Sequence, residues 1–317
     1  VSSLPLKFHV THPLITHPYH PDLMTGEGVV RLARAAEAAG FDGYGFTDHP
    51  APTQAWLDAG GHDALDPFVA LGFVAAATER IRLIPNIVVL PYRNPFVVAK
   101  ACATLDALSG GRFTLAAGVG YLEGEYEALG VSHAERAALF DEALDVLVKV
   151  WTEDSVSFEG RGFRAEGITA HPRPASRPPI WVGGNSAAAR RRVAERGDGW
   201  CPFPAPKGMA SFVGTAPLDG GELLEAGIAD LHRRLEAVGR DPASVDIAFT
   251  CKAGGNPAKA DFNVEEHLEG LARLADLGVT WIQVGIPGDS PTHAEETLQS
   301  YADALAESRP RPTSREG

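Results

Sequence analysis

Residues 26–49 read "GEGVVRLARAAEAAGFDGYGFTDH", and this stretch decides the fold. Val29, Val30, Leu32, Ala33, Ala36 and Ala39 keep near-helical spacing, and Gly40 suits the C-terminal cap. The apolar "GYGFT" that follows reads as a short strand, which stops on Asp48, His49 and Pro50. A buried strand that ends on a titratable pair is either a satisfied turn or the rim of an active site.

The same unit of amphipathic helix, small-residue stop and apolar strand recurs along the chain. It returns in "DPFVALGFVAAATERIRLIPNIVVL" (66–90), with Asp66 as N-cap and Pro67 just inside the helix. It returns again in "NPFVVAKACATLDALSGGRFTLAAGVG" (94–120), "NSAAARRRVAERGDGWCPF" (185–203) and "VEEHLEGLARLADLGVTWIQVGIP" (264–287). The strands "PPIWVGG" and "SVDIAFTCK" follow helical segments 135–151 and 222–238, and "LKFHV" opens the series. Candidate strands therefore begin near residues 6, 43, 82, 113, 180, 199, 246 and 281. Strict strand–helix alternation with near-continuous apolar strands means parallel strands covered on both faces.

The fold class expected is α/β, a (β/α)8 TIM barrel. A hairpin or loop is inserted after strand 4 and its helix, "SVSFEG" against "FRAEGI" within 152–178, and a long loop follows strand 6 at 204–221. One domain is expected over 1–308, with a flexible tail at 309–317.

Composition narrows the function. A formal net charge of −13 argues against nucleic acid or an anionic membrane as partner. Cys102, Cys201 and Cys251 are widely separated and form no CxxC pair, which suggests buried thiols in a reducing compartment. No signal-peptide pattern opens the sequence and no apolar run is long enough to span a bilayer, so a soluble, cytoplasmic protein is expected.

In such a barrel the chemistry lies at the C-terminal ends of the strands. "WVGGNSAAARRR" ends a strand on Gly183 and Gly184, with Asn185 or Ser186 capping the next helix; that turn is either an ordinary cap or an anion site suited to phosphate. Arg190, Arg191 and Arg192 add positive charge one turn on, in a run that usually marks a solvated face. "NIVVLPYRNP" reads as structure, with Asn94 and Pro95 starting a helix. His9, His12, His17 and His20 invite a metal site, but His9 and His12 are out of phase on a strand and no carboxylate set completes it, so no metal is expected. His49, at the rim of strand two beside Asp48, is either hydrogen-bonded filler or a catalytic group.

Taken in order, "AEAAGFDGYGFTDHP", "IRLIPNIVVLPYRNPFVVAKACATLDALSGGRFTLAAGVG", the segment from "YLEGEYEALGV" to "VWTED", and "RPPIWVGGNSAAARRRVAERGDGW" resemble the luciferase-like monooxygenase superfamily. The match is closer to its deazaflavin (coenzyme F420)-dependent oxidoreductases, a branch common in actinobacteria. The resemblance implies a deazaflavin ring in the barrel mouth, with FMN as the alternative cofactor. Relatives using FMN often carry Glu-His-His where this chain has Thr47-Asp48-His49. The resemblance further implies a non-prolyl cis peptide behind the ring, by position Ile87–Val88, within a cofactor-contacting stretch of Asn86, Ile87 and Val88. The cofactor phosphate would fall at Gly183, Gly184, Asn185 and Ser186, and His49 would face the reactive ring. Gly118 and Gly120 join the cofactor set, although the loop "GVGYLEGEYEAL" is glycine-poor beside relatives.

The implied reaction is hydride exchange between cofactor and a small organic substrate. His49 and Asp48 form the catalytic pair: His49 handles the proton, Asp48 is its charge partner, and the loops at 152–178 and 204–221 shape the substrate pocket. Glu123 or Glu125 could donate a proton, though acidic loop residues are more often solvated. Sugar-phosphate dehydrogenases of the branch carry Trp four positions after the strand-two His; here that position is Thr53 and Trp56 comes later, a departure that argues against a sugar-phosphate substrate. A homodimer is the expected assembly. An FMN monooxygenase, a metal-dependent hydrolase barrel and a non-catalytic cofactor carrier are the competing readings.

Overall fold

The computed structural model describes residues 6–15 and 18–307; His17 and the tail expected at 309–317 lie outside them. Strands are β1 (Lys7–Thr11), β2 (Gly43–Gly45), β3 (Arg82–Leu83), β4 (Val88–Val89), β5 (Leu115–Gly118), β6 (Val156–Gly160), β7 (Phe163–Ile168), β8 (Ile180–Gly183), β9 (Gly199–Cys201), β10 (Asp246–Phe249) and β11 (Trp281–Val284). Helices are α1 (Gly26–Ala38), α2 (Gln54–Asp58), α3 (Pro67–Ala77), α4 (Pro95–Leu108), α5 (Glu123–Ala128), α6 (Arg136–Thr152), α7 (Ala187–Arg196), α8 (Lys207–Phe212), α9 (Gly221–Ala237), α10 (Val264–Asp276) and α11 (Pro291–Glu307).

The parallel sheet runs β3-β2-β1-β11-β10-β9-β8-β5-β4. Its two ends are halves of one strand. β3 pairs with β2, β4 pairs with β5, and a parallel bridge from Leu83 to Phe113 joins the edges. The Leu83 N–H donates to the Arg112 carbonyl, and the Leu83 carbonyl accepts from Thr114 N–H, each at 3.0 Å. The nine segments thus act as the eight strands of a closed (β/α)8 barrel, in the positions that the sequence periodicity indicates.

The caps follow the sequence. Gly40 takes φ +87° beyond α1, the left-handed conformation that glycine adopts without a Cβ clash. Asp66 accepts from Phe68 and Val69 N–H at the start of α3, and Asn94 accepts from Phe96 N–H at the start of α4. β6 and β7 form the expected antiparallel hairpin. Its anchors are on the helix layer: Phe163 packs edge-on against Phe96 of α4, and Arg161 pairs with Glu135 and Glu142. These contacts buttress the outside of the barrel, where the sequence had suggested a pocket wall.

Inside the barrel, Ile84, Ala116, Trp181, Cys201, Ala248 and Trp281 form the packed core, with Trp181 and Trp281 edge to face at 5.2 Å. Strand two is bare here because a Cβ on Gly45 would stand 1.7 Å from the Ile84 carbonyl oxygen. All three cysteines are free and buried.

His9 and His12 point in opposite directions, as their phase requires. His9 Nε2 donates to the Ile84 carbonyl at 3.0 Å; His12 Nε2 donates to the Leu23 carbonyl at 2.8 Å while Nδ1 accepts from Tyr44 OH at 2.6 Å. Burial pushes both rings down to about 4 from 6.5, against the partly opposing carbonyl bonds. Among the described residues, no group of three or more metal-ligating side chains comes together, and no helix is long and apolar enough to cross a membrane. Because both folded-state values lie below 6.5, the unfolded chain takes up the protons first, and stability falls as pH drops from 6.5 towards 4. The expected loss is about 3 kcal/mol per histidine. Urea unfolding at about pH 7 and about pH 4.5 measures it, and a midpoint that does not move between them contradicts the assignment.

Candidate functional site

The chain leaving β2 carries Asp48 and His49 to the C-terminal rim, and the two neighbours have different fates. Asp48 is buried and faces strand three. Its Oδ2 accepts from Val89 N–H at 2.9 Å and from Arg93 at 2.5 Å, while Oδ1 accepts from Arg93 at 2.9 Å. Arg93 also binds Asp66 at 3.0 Å. Burial by itself would lower the Arg93 guanidinium, but Asp48 and Asp66 hold it above its ordinary value. Asp48 is thus committed to a bidentate ion pair, and the expectation that it acts as charge partner of His49 is corrected.

That partner is Glu125 on α5. His49 Nδ1 lies 3.2 Å from Glu125 Oε2, which also accepts from Tyr92 OH at 2.7 Å; Oε1 accepts from Ala51 N–H at 3.2 Å. The Glu125 side chain has 0% exposure and that of His49 11%. Of the two acidic candidates, Glu123 is exposed to solvent and only Glu125 turns inward. Burial, then the bond to Glu125, pushes Tyr92 far above the ordinary phenol range, so it remains a donor. With Nδ1–H held by a carboxylate, the neutral ring carries its lone pair on Nε2. The arrangement can accept or return one proton there.

Three rings surround His49: Trp56 at 4.7 Å between centroids, His62 at 4.9 Å and Tyr121 at 6.3 Å. Tyr92, His62 and Tyr121 were not singled out from the sequence. Tyr92 and Tyr121 do lie in strand-end stretches that it marks, "VLPYR" and "GVGYLE". Nothing local shows that they meet His49.

The cis peptide is Asn86–Ile87, one residue earlier than expected. It lies between β3 and β4, and the Ile87 side chain packs over two glycines. A Cβ on Gly118 would stand 2.3 Å from Ile87 Cδ1, and one on Gly183 2.7 Å. Gly120 is likewise filled by Val89, 2.5 Å from the Cβ position. Asn86 Nδ2 donates to Thr11 Oγ1 at 3.0 Å, and Val88 is buried in the core. A few residues away round the ring, Ser186 caps α7 by accepting from Ala189 N–H at 3.2 Å. Asn185 is not the cap: its side chain donates to the Phe203 and Ala216 carbonyls and accepts from Phe203 N–H, tying the 204–221 loop to this turn. Arg190 and Arg192 are drawn off by Asp230 and Asp141, leaving the backbone N–H groups of the turn as the anion-facing donors. Gly184 has φ +102° and nothing nearer than 3.7 Å to its Cβ position, so the turn stays open. An apolar glycine-seated floor beside an open helix N-terminus fits a flat ring carrying a phosphate.

A closed eight-stranded barrel with its polar side chains gathered on the C-terminal rim defines the class. The chain belongs to the luciferase-like monooxygenase family, whose model matches residues 8–316. It is 32% identical over 292 residues to the F420-dependent glucose-6-phosphate dehydrogenase of Nakamurella multipartita, covering 86% of this chain and 82% of that one. The Intrasporangium calvum enzyme of the same name is 36% identical over 291 residues, covering 84% and 83%. Among solved structures, monooxygenase RslO1 from Streptomyces bottropensis superposes with a TM-score of 0.78 at 22% identity, covering 95% of this chain and 99% of that one. An F420-dependent secondary alcohol dehydrogenase does so with 0.73 at 17%, covering 96% and 99%. These two likenesses bear on the fold.

The His49–Glu125 contact predicts that His49 is the Nδ1–H tautomer. Nitrogen-15 NMR of the imidazole above neutral pH is expected to show it, with the preference lost in Glu125→Ala. An Nε2–H ring in the unmodified protein would refute the pairing.

Proposed function

We propose that this protein is an F420-dependent oxidoreductase that exchanges a hydride with a small organic substrate. The observation that carries the reading is His49, held at Nδ1 by buried Glu125, on the rim of the barrel that has the Ile87 floor in its mouth. The relatives named as F420-dependent support the cofactor. Asn86 and Ile87 would back the ring, and the backbone of Gly183, Gly184, Asn185 and Ser186 would hold the phosphate. When bound, the deazaflavin supplies hydride transfer, so an alcohol–carbonyl pair has one further hydrogen that travels as a proton.

The chain's own residues handle that proton. His49 Nε2 takes it from an alcohol or returns it to a carbonyl oxygen; Glu125 stabilises the ring once it is charged, and Tyr92 and Ala51 N–H keep the carboxylate in place. The Asp48–Arg93 ion pair anchors the strand end that carries His49. The closed barrel floor beneath keeps water from the reacting atoms.

Titration of the purified protein with F420 and with FMN, followed by cofactor fluorescence, tests the reading. Tight F420 binding and weak FMN binding are expected; FMN binding without F420 binding would replace the reading with an FMN monooxygenase. His49→Ala is expected to lower turnover by about 100-fold or more while leaving F420 affinity within a few-fold.

Homodimer assembly belongs to the same proposal. Helix α3 has no charged side chain between Pro67 and Ala77 and exposes Val69 and Phe73, and α4 alongside exposes Val97 and Leu108. The uncharged face of α3, with the apolar Val97 and Leu108 of α4 on either side of Lys100, suits a second copy of itself. Light scattering is expected to give a dimer mass, reduced to the monomer in Phe73→Glu; a monomer in the unmodified protein removes this element.

A further inference from the structure

We infer that Asn185 is a positioning residue that couples the phosphate turn to the loop at 204–221. An anion held by the backbone N–H groups of the turn keeps this loop closed, and the closed loop in turn tightens the hold on the anion. The inference rests on the redox reading above, which supplies the anion as the cofactor phosphate.

The peptide planes of the turn are fixed from the inside. The Trp200 indole N–H donates to the Gly184 carbonyl at 2.9 Å, and Arg190 Nη1 donates to the Asn185 carbonyl at 2.9 Å. Trp200 is fully buried, and Arg190 lies over its ring while pairing with Asp230. In a trans peptide the N–H points away from the carbonyl, so these two bonds aim the Asn185 and Ser186 N–H groups to the opposite side. Neither N–H meets an acceptor among the described residues, although Asn185 is only 3% exposed. Donors placed in this way call for an acceptor from outside the chain.

The side chain of the same residue holds the loop. Asn185 Nδ2 donates one hydrogen to the Phe203 carbonyl and one to the Ala216 carbonyl, each at 3.0 Å, and Oδ1 accepts from Phe203 N–H at 3.1 Å. Phe203 and Ala216 stand near the two ends of the loop, whose neck is closed by paired bonds between Ala205 and Leu218 at 2.6 and 2.9 Å. Ala210 and Leu218 are buried, whereas Lys207, Gly208 and Met209 are exposed. One Cα carries both the anion-facing N–H and the amide that ties the loop, so a backbone shift at Asn185 moves the two together. Opening the loop would strip three bonds from a buried amide, which makes loop closure and the donor geometry of the turn a single state.

The test is limited trypsin digestion of the full chain. Lys207 is the only lysine or arginine between Arg196 and Arg233, so cleavage after it reports the open loop. F420 is compared with its phosphate-free deazaflavin fragment, each at a concentration that saturates the change in ring fluorescence. F420 is expected to slow this cleavage about fivefold or more, and the fragment by less than about twofold. In Asn185→Ala, cleavage without ligand is expected to speed up and F420 to protect no longer. The F420 Kd should weaken by the factor lost in protection, as reciprocity requires. A urea midpoint confirms that the variant is folded. Equal protection by F420 and the fragment, or none by bound F420, overturns the inference in the unmodified chain alone; so does F420 protection that survives in Asn185→Ala. Absence of F420 binding overturns the redox reading instead, and the ligand-free cleavage rates of the two proteins then decide whether Asn185 holds the loop.

Discussion

A carboxylate with no solvent contact must find its donors within the protein, and Glu125 finds three. They come from separate segments: His49 and Ala51 from the end of strand two, and Tyr92 from just beyond strand three. One buried charge therefore fixes how two strand ends and α5 meet over the barrel mouth. It also fixes the hydrogen on His49, which is the property any proton-transfer role depends on. The aromatic group of Trp56, His62 and Tyr121 then encloses a ring whose orientation is already determined.

Asp48 and His49 show how adjacent residues divide labour. Alternation along an extended segment turns their side chains opposite ways, so one serves the scaffold and the other the mouth. Asp48 joins strand two to β4 and Arg93, and Arg93 joins them to the N-cap of α3 at Asp66. The same Asp66 thus ends the loop that holds Trp56 and His62. The position of His49 consequently depends on contacts spread over residues 48–93.

Much of the barrel was legible because its signals are local. Periodicity marks the helices, and the caps at Gly40, Asp66, Asn94 and Ser186 act over four or five residues. The hairpin was legible too, from two short alternating runs. The errors have a common physical origin. Asp48 and Glu125 compete as partners for His49, and the distance of 76 residues between His49 and Glu125 hides the answer. Asn185 and Ser186 both read as caps, but only packing of the 204–221 loop shows that Asn185 is engaged elsewhere. The cis bond was expected one residue late because a chain position inferred by resemblance carries no backbone geometry.

The sequence by itself determined the eight alternating units, the rim on which His49 stands, and the open glycine turn before α7. These follow from side-chain periodicity and from conformations that few residue types adopt. Tertiary structure alone decided that Glu125 holds His49, that Arg93 removes Asp48 from the chemistry, and that Trp56 arrives beside the imidazole. The physical reason is that a hydrogen bond or a ring contact is set by distance in space. Neither burial of a charge nor the room that Gly118 and Gly183 leave for Ile87 is written in any run of neighbouring residues.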